Sequence, residues 1–247
     1  MSEDFEILHN GVRMPVRIKR NSRAQRLILR VDHISEGGVL TLPLAATIDE
    51  AILLVKNSAT WLYEKIQNQP ARQTFCDGYV LTLLDAAVTV RHAPEERLGV
   101  RLDGNNLLVS GRIEHLERRV FDWLKGHTKE VITPRAKFMA GQLGREVKKV
   151  SVRNTRSRWG SCSHNGNLSF CWRLIMTPNW VLNYVIAHEV SHLAHMNHSP
   201  TFWRTVGTFD VQTDQARIWL NDNNARLQRI GPQSISPHCK DPIIRER

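Results

Sequence analysis

Alternation dominates the opening of the chain. Val12, Met14, Val16 and Ile18 are apolar, and Arg13, Arg17 and Lys19 fall between them. A period of two puts the sets on opposite faces of a strand. The strand signal continues over residues 26–31 and 39–42, with Gly37-Gly38 as the turn between them. A meander of short antiparallel strands is predicted. The period then changes. Ile52, Val55, Ala59, Leu62 and Ile66 recur at helical spacing, so one helix is expected over residues 48–67. Thr47 and Glu50 form a capping box at its start, and Pro70 closes it. Short strands follow at 79–84, 87–91, 100–102 and 107–109.

From residue 113 the pattern is helix-led, carried by Leu116, Val120, Leu124, Val131, Phe138 and Leu143, with Pro134 expected to kink or split it. Residues 147–153 alternate again as a strand. The expected class is therefore α+β. An antiparallel β-rich domain with one helix spans 1–112, a helix-led domain spans 113–229, and a flexible basic tail spans 230–247. Gly231, Pro232, Pro237 and Pro242 mark the tail.

Charge changes the picture modestly. Lys and Arg total 34 against 24 Asp and Glu, a net charge of +10. Such a balance suits nucleic acid or an anionic substrate. Arg13, Arg17, Lys19, Arg20, Arg23, Arg26 and Arg30 would be the nucleic-acid footprint. Cys76, Cys162, Cys171 and Cys239 form no C-x-x-C pair, which argues against a structural zinc knuckle. The acidic start has no apolar leader, and no apolar run approaches about 18 residues. A cytoplasmic protein with free thiols and no membrane partner is expected.

The chemistry concentrates at His188-Glu189-Val190-Ser191-His192. Two imidazoles at i and i+4 share a helix face and can grip one cation. Zn²⁺ held there would lower the pKa of its water towards about 7, and the adjacent Glu189 could take the proton as general base. Val181, Leu182, Val185, Ile186, Ala187 and Val190 make this helix apolar on most sides, and Thr177-Pro178 reads as its start. Ionisable groups in such a helix need compensation, which a metal supplies. A third ligand must come from downstream. His195, on the same helix face, would lie about 10 Å along the axis from His188, which favours His198. Asn197 could end the helix in the left-handed conformation, and Ser199-Pro200 could start the next one.

A second unusual stretch runs from Arg156 to Ser163, followed by a turn at Asn165-Gly166 and an extended run at 168–174. Arg156 and Arg158 could bind an anionic group or stabilise an oxyanion, and Gly160 permits close backbone approach. Beside a metal motif, Cys162 reads as a small packed residue rather than a nucleophile.

Arg156-Ser-Arg-Trp-Gly-Ser-Cys-Ser163, Trp172-Arg173-Leu174, Pro178, the His188/His192 motif and Asn197-His198-Ser199-Pro-x-Phe-Trp203 together resemble the YgjP-like metal-dependent hydrolases. These are relatives of the SprT-like and WLM zinc metallopeptidases. The likeness covers most of residues 10–225. It implies a zincin-like metallopeptidase fold with an active-site helix, with His198 as third ligand. Cys171 stands where that pattern usually has Asn. The expected function is a zinc-dependent metallopeptidase acting on peptide or protein. The alternatives are a hydrolase of small anionic substrates such as nucleotide phosphoanhydrides, and a nucleic-acid-associated protein with a structural metal.

Overall fold

The computed structural model describes residues 4–32, 35–97, 99–156 and 158–232. Two compact units form, Met1–Arg72 and Gln73–Arg247.

In the first unit, β1 (Phe5–His9), β2 (Val12–Arg20), β3 (Ile28–Asp32) and β4 (Gly37–Leu42) make one sheet in the order β1-β2-β4-β3. The outer pairs are antiparallel, as expected, but β2 and β4 run parallel. Burial explains this departure from a simple meander. β4 fully buries Leu40 and Leu42, and β2 buries Met14, Val16 and Ile18, so these two take the centre. Gly37 and Gly38 lie inside β4 rather than in a turn, and a side chain on Gly37 would collide with the Pro15 carbonyl of β2. The capping box forms as expected: Thr47 Oγ1 accepts from the Glu50 amide at 3.2 Å, and Glu50 Oε2 accepts from the Thr47 amide at 2.8 Å. The single helix expected after it is two, α1 (Ile48–Asn57) and α2 (Ala59–Gln67). Asn57 and Ser58, whose side chains compete for backbone groups, sit at the break. Ala51, Val55 and Leu62 pack with the sheet's apolar face in one core.

The second unit repeats the sheet pattern. β5 (Val80–Leu83), β6 (Ala86–His92), β7 (Val100–Asp103) and β8 (Asn106–Val109) are ordered β5-β6-β8-β7, again with a parallel centre between two antiparallel edges. α3 (Leu116–Gln142) follows. It runs continuously through Pro134, where a kink or split was expected. Pro134 is exposed while Ile132 and Ala136 are buried, so the carbonyl it leaves unbonded can be hydrated. A change in pattern near residue 112 exists, but it falls inside this unit. Val88, Val90, Leu107 and Val109 share one core with Leu116, Val120, Leu124, Trp172 and Ile175, which ties the second sheet to the helices.

β9 (Lys149–Arg153), β10 (Gly160–Cys162) and β11 (Asn167–Cys171) form a third sheet, β10-β11-β9. The hairpin expected around Asn165-Gly166 is β10–β11, with Gly166 at φ 73°. The extended run stops at Cys171, and Trp172–Met176 is a 3₁₀ segment. Then come α4 (Asn179–Ser191), α5 (Pro200–Gly207) and α6 (Thr213–Gln228). Thr177 does not cap α4, because its hydroxyl donates to the Leu174 carbonyl at 2.8 Å. Asp85, in the β5–β6 turn, accepts from the Asn179 amide at 3.2 Å instead. The tail expected from residue 230 begins packed: Ile230 is buried and bridges to Gln73, and residues 233–247 lie outside the described ones.

One buried cation stabilises this unit. Arg173, 2% exposed, donates to Asn154 Oδ1 at 2.6 Å and to the Ile230 carbonyl at 3.2 Å, with its guanidinium 4.6 Å from the Trp172 ring. Trp172 Nε1 donates to the same Asn154 oxygen at 3.2 Å. Arg173→Ala removes the donor to the buried Ile230 carbonyl, leaves Asn154 only Trp172 Nε1 and opens a void, so it should cost about 3 kcal/mol or more. Arg173→Lys should recover only part, since one ammonium cannot span both acceptors. Urea midpoints of the two variants check this, and a lysine variant as stable as the native chain would refute it.

Candidate metal centre

α4 is enclosed by α3, α5, α6 and β10. Val181, Leu182, Val185, Ile186, Ala187 and Val190 are buried around it, as its apolar sequence predicts. Within that setting His188 and His192 emerge from one face, one turn apart. The helix ends sooner than expected. Its last residue is Ser191, and His192 is its C-cap. His195 is therefore not on the helix, and Asn197 has no positive φ among the described residues. The chain turns back at once, and the His195 carbonyl meets His192 Nδ1 at 3.0 Å. With that nitrogen donating to the carbonyl, the other nitrogen of His192 is free to act as a ligand. His195 thus supports the site through its backbone.

The turn delivers His198. Ligand nitrogens of His188, His192 and His198 all lie within 4.8 Å of one another. Nε2 of His188 and Nε2 of His198 are 3.1 Å apart. Nitrogens around a tetrahedral zinc, with bonds of about 2.0–2.1 Å, stand about 3.3 Å apart. α5 backs the cluster. Ser199 caps it, accepting from the Phe202 amide at 3.5 Å. Phe202 lies 4.6 Å from the His192 ring, and Trp203 stacks on His198 at 5.7 Å.

Electrostatics favours a cation over protons here. Burial first, then neighbouring His192 and His198, push His188 down to about 4, and burial lowers His192 as well. Neutral imidazoles converging in this way present lone pairs to one point. The donor set fits a borderline divalent ion such as zinc.

Glu189 sits on the other side of the same turn and is 6% exposed. Burial raises its carboxyl to about 7, with the Arg158 charge opposing. β10 lies directly against it. A Cβ on Gly160 would stand 2.5 Å from both Cγ and Oε1 of Glu189. The glycine is therefore what admits the carboxylate, a closer role than backbone approach in general. Burial and the Glu189 charge raise the Cys162 thiol to about 11, which leaves it inert as a nucleophile. Cys171 is fully buried, its Sγ 3.6 Å from the Thr155 carbonyl.

A cavity of about 510 Å³ adjoins this cluster, lined by His188, Glu189 and Gly160 among others. Arg158 lines it too. Arg156 does not; its charge is felt instead at buried Arg173. Sequence reasoning missed the opposite wall. Arg217, Leu220, Asn221 and Asn224 come from α6, and Tyr184 from α4. Arg217, Asn221 and Asn224 recur at i, i+4 and i+7, a one-face spacing that could have flagged them.

Three converging imidazoles beside a buried carboxylate, at the mouth of a cavity, are the equipment of a metal-dependent hydrolase. Comparison with known proteins agrees. The model of the YgjP-like metallopeptidase domain matches residues 25–223, so the chain belongs to the YgjP-like metallopeptidase family. No curated protein matches it. Among solved structures, the metallopeptidase zymogen of Pyrococcus abyssi abylysin is 20% identical, over 41% of this chain and 99% of that one, at a TM-score of 0.34. That likeness is too loose to bear on topology.

Two outcomes follow. Gly160→Ala should displace the Glu189 carboxylate and lower kcat/KM by about a hundredfold at unchanged metal content. Steady-state kinetics with metal analysis measure both. The second concerns the metal-free protein. His188, ordinarily near 6.5, is depressed to about 4, so acidification through that window destabilises the fold. Glu189, ordinarily near 4.5, is raised to about 7, so acidification from 7 to 4.5 stabilises it. Between 6.5 and 4.5 the two oppose. Metal-free Glu189→Gln should therefore lose Tm more steeply than the native chain over that range.

Proposed function

We propose that this chain is a zinc peptidase in which His188, His192 and His198 hold the metal and Glu189 is the general base. The observation that carries this reading is the convergence of three imidazole nitrogens within 4.8 Å, two of them on the helix turn that also presents Glu189. Zinc bound there would supply Lewis acidity and a water whose pKa falls to about 7.

The protein's own groups then divide the work. Glu189, buried against Gly160, accepts the proton of the attacking water and returns it to the leaving amine nitrogen. The His195 carbonyl holds the His192 ring in one tautomer. Phe202 and Trp203 fix the ring planes of His192 and His198. Arg158, on the cavity wall, is placed to meet negative charge that develops on the substrate carbonyl. Arg156 is farther from this role than the sequence suggested.

The two other readings have less behind them. Two arginines on the cavity wall keep hydrolysis of small anionic substrates testable. For nucleic acid, the basic strand residues of the first unit are the only support. Arg13 and Arg17 there lie 3.9 Å from Glu6 and 3.8 Å from Asp4, which dilutes that footprint. Among the described residues no helix is long and apolar enough to cross a membrane.

Glu189→Gln should retain stoichiometric zinc and lose peptide turnover by about a thousandfold or more, whereas His188→Ala and His192→Ala should lose the metal itself. Peptide hydrolysis should fall as pH drops through the Glu189 titration, because the protonated carboxyl cannot accept a proton. Unchanged peptide turnover in zinc-loaded Glu189→Gln, or turnover of nucleoside triphosphates alone, would refute the assignment.

A further inference from the structure

The cavity beside the metal centre has a lopsided chemistry. Its apolar surface comes from Trp159, Val185 and Leu220, and its ionisable groups are the neutral imidazole of His188, Glu189, Arg158 and Arg217. Glu189 lines the cavity but is only 6% exposed and packed against Gly160, so it offers little to a ligand in the open part. What remains there is cationic.

Neither guanidinium is neutralised by a strong partner. Arg217 has one carboxylate contact, Asp214 at 3.9 Å, and that side chain is 90% exposed. Pairs of this kind contribute almost nothing. Arg158 has no ion pair among the described residues, and its charge acts on Glu189. Tyr184 adds a neutral hydroxyl. Burial raises its pKa against the pull of Arg217, and it has no hydrogen-bond partner among the described residues. α6 contributes the Asn221 and Asn224 carboxamides on the same face as Arg217. The cavity therefore presents an excess of positive charge and donors around an apolar floor. Its complement is a group with an apolar stem and an anionic end.

The structure assigns, we infer, a specificity pocket: the cavity receives an acidic side chain of the peptide, at a position flanking the scissile bond, with Arg217 and Arg158 as its charge partners. The inference rests on the peptidase reading above and names its substrate class. Lining by His188 and Glu189 sets the pocket within one residue of the reacting carbonyl. Arg217 lies 5.7 Å over the Trp203 ring, which holds it near the metal cluster. Its position on a helix rather than a loop suits it to fixed recognition.

The test uses the full-length zinc-loaded protein and matched peptides carrying Glu, Gln, Leu or Lys on either side of one bond. The native enzyme should favour Glu over Lys by at least about tenfold in kcat/KM, and Arg217→Glu should reverse that order. A merely structural Arg217 would lower all peptides alike. In parallel, fluorescein-labelled Glu and Lys peptides are bound to Glu189→Gln, which requires no turnover. The Glu peptide should bind more tightly, and Arg217→Glu in that background should erase the difference. Equal binding of the two peptides overturns the pocket. So does displacement by ATP without any preference among peptides, since the cations then serve a phosphate chain. Absence of turnover for every peptide refutes the peptidase reading, while the binding arm still decides the pocket.

Discussion

The second unit is organised around one costly act, the placing of ionisable side chains in a helix that is otherwise buried on nearly every side. Transfer of a carboxylate or an imidazole from water into such surroundings is unfavourable by several kcal/mol unless partners compensate. The structure shows how that cost is divided. His192 gains the His195 carbonyl, Glu189 gains the opening left by Gly160, and His188 and His198 turn their nitrogens on each other. At 3.1 Å the last pair can share one proton in a hydrogen bond, and the same two nitrogens stand close enough to serve one cation.

The same logic explains the surrounding architecture. α4 is held from one end by Asp85, which belongs to a strand turn almost a hundred residues earlier, and from the other by the tight reversal after His192. The β5–β8 sheet is thereby coupled to the helix that bears His188 and His192. This is why the second sheet belongs with the helices and not with the first sheet, despite sharing its strand order.

Much of this was legible in the residues. The His188/His192 spacing, the apolar surroundings of α4, the Ser199 cap and the Asn165-Gly166 hairpin are local signals, and local signals survive folding. His198 was reached by a distance argument, and the chain brings it beside His188 and His192 by another route: the helix stops at Ser191 and needs no left-handed Asn197. What was illegible depends on long-range packing. Parallel pairing of β2 with β4 follows from which strands bury most area, and alternation alone cannot rank them. Capping of α4 by Asp85 joins residues far apart in sequence, so the nearer Thr177 looked the better candidate. α6 escaped notice because its chemistry, Arg217 with Asn221 and Asn224, reads as an ordinary solvated face until it is set against His188.

The early end of α4 has an electrostatic consequence. A helix accumulates partial negative charge, equivalent to about half an electron, where its final carbonyls lack amide partners. His188 and His192 occupy that last turn. Any dication gripped by them sits in the attractive lobe of the backbone's own field, a bias of up to about 2 kcal/mol in partly buried geometry. The peptide dipoles of one short helix would thus favour a cation over an anion at this end of α4, and no further side chain is needed for that bias.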